Sequence, residues 1–141
     1  MGFKLKVSGA DPVDLGVDHI LSVQFYMDTP HDSNARSTEV GVGMVIKGKI
    51  LTALDGEAAD SSLNIAKWSV VPATDATCYR KLEVEAINAS QVVRKYELPN
   101  AFVVDYKEEF GSAEGVGEFT LIVKQKKDKT ERVQMAGGFA I

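Results

Sequence analysis

His19-Ile20-Leu21-Ser22-Val23-Gln24-Phe25-Tyr26-Met27 places Leu21, Val23, Phe25 and Met27 on one side of an extended chain, and Ile20, Ser22, Gln24 and Tyr26 on the other. A period of two is the mark of a β-strand, because successive side chains point to opposite faces. The second side is less polar than contact with bulk water would require. Residues 39–50 repeat the pattern, with Val40, Val42, Met44 and Ile46 opposed to Gly41, Gly43, Val45 and Lys47. Two consecutive segments of this kind make the chain a β protein before anything else is read.

Working outward, the same period predicts strands at 3–7, 79–87, 92–98, 101–106 and 116–126, with a short last strand at 131–135. Asn88-Ala89-Ser90-Gln91 reads as a hairpin turn, and Pro99-Asn100 as the break between two strands. Asp128-Lys129-Thr130 reads as a turn. One helix is expected over 58–69, capped by Asp60 or Ser61. Leu63, Ile65, Ala66 and Trp68 form its apolar stripe, and Pro72 closes the region. Asp55-Gly56-Glu57 is a turn before it. Polar segments at 28–38 and 108–115 are long enough to act as interaction elements. No repeat or linker divides the chain. The expectation is one domain over 1–141, mainly β: an antiparallel β-barrel with one flanking α-helix.

The chain has 141 residues, enough to bury a core without metals or disulfides. Its net charge of -4 disfavours nucleic acid as a partner, since that would need a concentrated basic face. The one basic run, Lys124-Gln125-Lys126-Lys127-Asp128-Lys129, is short and interrupted, and reads as the solvated end of a hairpin. Cys78 is the single cysteine, so no intramolecular disulfide is expected. No run approaches the length of a membrane span, and Phe3-Lys4-Leu5-Lys6-Val7 lacks the continuous apolar core of a signal peptide.

A search for chemistry finds little. Ser33, His31 and Asp32 supply the side chains of a nucleophilic triad, but three adjacent loop residues rarely converge in the required geometry. One cysteine and two distant histidines disfavour zinc. Asp28, Asp32, Ser33 and Asn34 lack the spacing and the closing glutamate of a calcium loop. Gly41-Val42-Gly43 lacks the third glycine of a dinucleotide fingerprint and alternates like a strand. No cofactor, metal or catalytic residue is assigned. Small residues such as Gly41 and Gly43, with aliphatic neighbours on an outward face, instead suit close approach by another subunit.

Three stretches carry a family resemblance. The first is Phe3-Lys4-Leu5-Lys6-Val7 followed by Ser22-Val23-Gln24-Phe25-Tyr26-Met27-Asp28. The second is Asn34-Ala35-Arg36-Ser37-Thr38-Glu39-Val40-Gly41-Val42-Gly43. The third runs Lys95-Tyr96-Glu97-Leu98-Pro99-Asn100-Ala101-Phe102-Val103-Val104-Asp105-Tyr106-Lys107-Glu108-Glu109-Phe110. Their order resembles the hemolysin-coregulated protein family, the tube subunits of type VI secretion, whose fold is shared with tail-tube proteins of contractile phages. Residues 108–117 and 137–141 depart from the family pattern.

The resemblance implies a structural subunit, not an enzyme. It implies hexameric rings stacked into a hollow tube, with sheath, baseplate or spike proteins and effector cargo as partners. It also implies synthesis and assembly in the cytoplasm and release on firing, without membrane insertion. Interface residues implied are Asp28, Thr29, Asp32, Asn34, Arg36 and Ser37 toward the neighbouring ring, with Gly41, Val42, Gly43, Val103 and Asp105 in the ring wall. Lys47 or Glu83 would face the lumen. A phage-like tail tube and a monomeric β-barrel binding module are the alternatives.

Overall fold

The computed structural model describes residues 1–28, 41–51, 61–112 and 115–141. The expected first turn of the helix, the Asp60 cap, the turn at 55–57 and most of the polar segment at 28–38 lie outside these residues. Among the described residues nine strands form one antiparallel sheet: β1 (Gly2–Ser8), β2 (Val13–Leu15), β3 (Ile20–Asp28), β4 (Gly41–Ile50), β5 (Arg80–Asn88), β6 (Gln91–Phe110), β7 (Gly117–Gln125), β8 (Gln134–Ala136) and β9 (Phe139–Ala140). The hydrogen-bonded order is β2-β1-β5-β6-β7-β4-β3, and β8 and β9 pair with β6.

Among the described residues the path does not close, so the expected barrel is an open sheet that curls around its contents. Leu5 and Val7 from one end of the path share a core with Ile20, Met44 and Ile46 from the other. Phe25 of β3 stacks on Tyr96 of β6, with centroids 4.7 Å apart and planes 8° from parallel. Helix α1 (Ser62–Ser69) plugs the curl with Ile65 and Trp68. The Trp68 indole N–H donates to the Cys78 carbonyl at 2.8 Å, so its polar end is satisfied inside the core. Leu63 was expected in that apolar stripe but is 60% exposed. The buried side is instead Ser62, Ile65 and Trp68, spaced by three, and Leu63 falls off it.

Two expected strands, 92–98 and 101–106, are one. β6 runs 20 residues through Pro99. The proline sits where the β5 register shifts, between the pairs Leu82↔Leu98 and Arg80↔Ala101, so its missing N–H interrupts no ladder pair. Next to it the Asn100 N–H donates to Gln125 Oε1 at 2.9 Å, and the Asn100 carbonyl accepts from Lys126 N–H at 2.8 Å. β6 also continues to Phe110, so the first part of the supposed 108–115 loop is strand. The last strand likewise starts later than expected, after a 3-10 segment at Lys127–Arg132.

The basic run at 124–129 is not simply a solvated hairpin end. Lys124 belongs to β7, and Gln125 is 3% exposed, its amide donating to the Lys129 carbonyl at 2.8 Å.

A bulge also corrects the face of β3. The β3–β4 register shifts between Ile20 and Ser22, which turns Ile20 into the core at 4% exposure and leaves Leu21 44% exposed. One extra residue reverses the alternation at that point.

The hairpin at 88–91 forms as expected, with Asn88 opposite Gln91. Its two central residues, Ala89 and Ser90, have φ of 51° and 63°. This left-handed backbone matches the twist of flanking strands but is strained for residues with a Cβ.

Candidate functional site

The four strands β3, β4, β7 and the second half of β6 form a distinct sector. Every neighbour in it is antiparallel. One face carries Met44, Ile46, Phe119, Leu121 and Val123 into the core. The other points outward, and its rows follow from the registers. Gln24, Val45, Ile122 and Asp105 form one row; Tyr26, Gly43, Lys124 and Phe102 form another. The centre of this face, around Val45 and Ile122, is half-buried and uncharged. Charges lie toward its ends, including Lys47, Lys49, Lys107, Glu109 and Glu118.

Glycines here serve the chain's own aromatic rings. A Cβ on Gly43 would lie 2.6 Å from the Tyr26 ring and 2.8 Å from the Val123 carbonyl oxygen. One on Gly48 would lie 2.5 Å from the Phe119 ring. The residues directly opposite these glycines are Tyr26 and Phe119, so each ring folds over the bare backbone of its cross-strand partner.

Among the described residues, neither outer side of the sector is covered by a further strand. β3, nine residues long, forms a ladder among the described residues with β4 alone, with β1 also near it. On β6, β5 covers one side only as far as Ala101. Among the described residues no strand pairs with that side over 102–110. Val104 is 49% exposed there and Phe110 69%. Free backbone of this kind templates pairing with another chain.

Beside the start of this free edge lies a groove of about 230 Å³ with a mixed polar and apolar lining, between the C-terminal end of α1, the 3-10 turn Ala76–Cys78 and β6. Trp68, Val71, Ala73, Tyr79, Phe102 and Val103 line it together with Ser69 and Cys78. Lys126 stands at its rim, with Nζ 4.9 Å from the centre of the Tyr79 ring. The Asp75 carboxylate caps the 3-10 turn, accepting from the Thr77 N–H and O–H, each at 2.9 Å. The backbone bond first, then the hydroxyl, hold its pKa below the usual carboxylate value.

Of the residues singled out from the sequence, Asp28, Gly41 and Gly43 meet at one end of the outward face. Asp28 lies 3.6 Å from Lys124 and directly opposite Gly41. Asp105 is exposed on the same face, past the bulge at Val103/Asp105. Val42, 7% exposed, and Val103, packed against the core, belong to the inner face. Thr29, Asp32, Asn34, Arg36 and Ser37 lie outside the described residues, as does the Ser33-His31-Asp32 set. Cys78 is buried. Among the described residues no cluster of three or more His, Cys, Asp and Glu side chains is placed to hold a metal ion, and no helix is long and apolar enough to cross a membrane.

Sequence reasoning did not identify which strand edges are free, and it missed the groove. Val70-Val71-Pro72, an apolar pair just past the helix, was the one available signal for the groove.

No protein-family model and no curated relative matches the sequence. Solved structures share its fold. Hcp1 from Flavobacterium johnsoniae superposes with a TM-score of 0.57 at 19% identity, covering 100% of both chains. A chain of the anti-feeding prophage baseplate, solved with six-fold symmetry, gives 0.54 at 15% identity, covering 96% of this chain and 93% of its own length. A chain of the extended sheath-tube complex of an extracellular contractile injection system gives 0.53 at 10% identity, covering 97% and 89%. The fold is therefore the mainly antiparallel, one-helix fold of Hcp-type tube proteins.

Proposed function

We propose that this chain is a structural, non-catalytic subunit whose copies join into rings that stack as the inner tube of a contractile injection system. The observation that carries the reading is the sector β3-β4-β7-β6 with its two free edges. It has an even number of strands, so β3 of one copy running beside residues 102–110 of the next is antiparallel again. Each junction repeats the last, and the sheet passes from copy to copy. Such a contact is heterologous, and it closes where the rotation per copy divides the circle. Six copies is the number in keeping with the six-fold baseplate structure that shares the fold.

The bulk of each copy, α1 with β1, β2 and β5, lies across the core from the outward face of the sector. Crowding then sets that bulk on the outside of a ring and turns the outward face inward. Lys47, Lys49, Thr120, Ile122 and Lys124 line the lumen in this arrangement, while Glu83 sits in the other half of the sheet. Ring-on-ring stacking uses the ends of the strands, near Asp28 and Gly41. Sheath, baseplate or spike proteins and effector cargo are the partners that this role requires, with assembly in the cytoplasm and release on firing.

Light scattering and negative-stain microscopy of the purified chain test the reading. Rings or stacked rings at high concentration are expected. A strict monomer at every concentration would contradict it.

A further inference from the structure

The groove beside the free edge of β6 has a shape and position that fit a particular side chain of a second copy. We infer that Met27 of one copy seats in the groove formed by Trp68, Val71, Tyr79 and Val103 of the next, with Asp28 meeting Lys126 at its rim; this rests on the edge-to-edge reading above.

Height comes first. The registers put Tyr26, Gly43, Lys124 and Phe102 in one row across the sector. When β3 of a second copy pairs end to end and antiparallel with residues 102–110, a stagger of two residues from that row, Met27 falls opposite Val103 and Asp28 opposite Phe102. That is where the groove opens.

Sidedness agrees. Met27 shares the inner face of β3 with Val23 and Phe25, which pack on the core, yet it is 38% exposed because β3 is the last strand on its side. Val103 is on the inner face of β6, opposite Val123. Inner-face side chains of adjoining strands lie on the same side of a continuous sheet, so Met27 approaches the groove from within it. An unbranched, polarisable thioether suits an irregular slot of about 230 Å³ whose lining mixes Trp68, Val71 and Val103 with Ser69 and Cys78.

Charge agrees as well. Asp28 is the next residue after Met27, and its side chain is 57% exposed. Lys126, on the rim beside Tyr79, has a side chain 39% exposed. Their contacts within the chain, Asp28 to Lys124 at 3.6 Å and Lys126 to Asp128 at 3.9 Å, are long, exposed pairs of little energetic weight and leave both able to turn toward a partner.

The experiment is a disulfide trap in a Cys78→Ser background. Met27→Cys chains and Val71→Cys chains are dispersed, mixed and then assembled together, with each variant also assembled alone; all samples are oxidised and run on a non-reducing gel, with micrographs of each. Mixed samples are expected to give a cross-linked dimer that neither variant gives alone, because a head-to-tail contact never brings two copies of position 27 together. Leu63→Cys, on the exposed side of α1, replaces Val71→Cys as a control and is expected to give none. Rings without the mixed dimer would overturn the Met27 assignment while leaving the tube reading intact. A dimer from Met27→Cys alone would overturn it as well. Absence of rings in the Cys78→Ser background and in the unsubstituted chain would overturn the tube reading itself.

Discussion

Along β1, β5 and the first half of β6 the outward positions form a lattice of charge, whereas the outward centre of the β3-β4-β7-β6 sector is Val45 beside Ile122. In the charged half Lys4 faces Glu85, which faces Lys95, and Lys6 faces Glu83. Glu83 and Glu97 lie directly opposite one another, and each has a lysine at hand: Lys81 at 3.2 Å from Glu83, and Lys95 at 3.4 Å from Glu97. A shallow cleft of about 350 Å³ runs between these side chains.

The margins differ in the same sense. β2 covers β1, and the open side of β2 is sealed by side chains of the helix region: the Asp14 N–H donates to Ser61 Oγ at 2.8 Å, and the Asn64 amide donates to the Pro12 carbonyl at 2.8 Å. On the other side β8 and β9 cover β6 with strands of three and two residues. Among the described residues no strand covers the outer side of β3 or of residues 102–110 in the open sector. Among the described residues one half of the sheet has covered margins, and the other has margins without a covering strand.

The contrast can be broken most forcefully at the core beneath the open sector. Phe119→Ala removes a ring that is 1% exposed and is expected to cost about 3–5 kcal/mol in urea unfolding. Glu85→Ala in the charged lattice is expected to cost less than about 1 kcal/mol, and less again in high salt. Equal costs would erase the distinction between the halves.

Gly43→Ala sharpens it. The new methyl has to displace Tyr26, for about 1–3 kcal/mol, and Tyr26→Ala in the same chain should return part of that loss. Additive losses in this double-mutant cycle would show that the ring and the glycine are not coupled.

A smaller effect, of opposite sign, is expected at the hairpin of the charged half. Ala89→Asn with Ser90→Gly relieves two left-handed residues and should raise stability by about 1–2 kcal/mol in the same assay.

The smallest effect concerns Asp75, at the groove. A carboxyl whose pKa is lowered by folding contributes stability above the ordinary carboxylate range and loses it as pH falls through its own lowered value. Asp75→Asn should therefore lower the thermal midpoint slightly at neutral pH, with the gap from the unsubstituted chain closing on acidification. A gap that widens in acid would contradict the capping role.

Much of the architecture was legible because the period of two is imposed by the backbone. The strands of β1, β3, β4, β5 and β7 and the hairpin at 88–91 all announce themselves that way. What was not legible depends on partners distant in sequence. Pro99 ends a strand under local rules, and it sits inside β6 because the neighbouring register is bulged there. The pattern of β3 gave Ile20 the wrong face because a bulge inserts a residue that no alternation can report. Gly43 reads as room for a neighbour until Tyr26 is seen over it. The location of the free edges could not be read, since which strands lack a partner is a property of the pairing and not of any one strand.

Amide hydrogen exchange on the assembled and dispersed chain tests the central claim, that copies join through the free backbone of the open sector. The account predicts new protection on assembly at residues 20–28 and 102–110, with β1, β2 and β8 unchanged. Assembly that leaves those two stretches exchanging as before, or that protects the charged half instead, would contradict it.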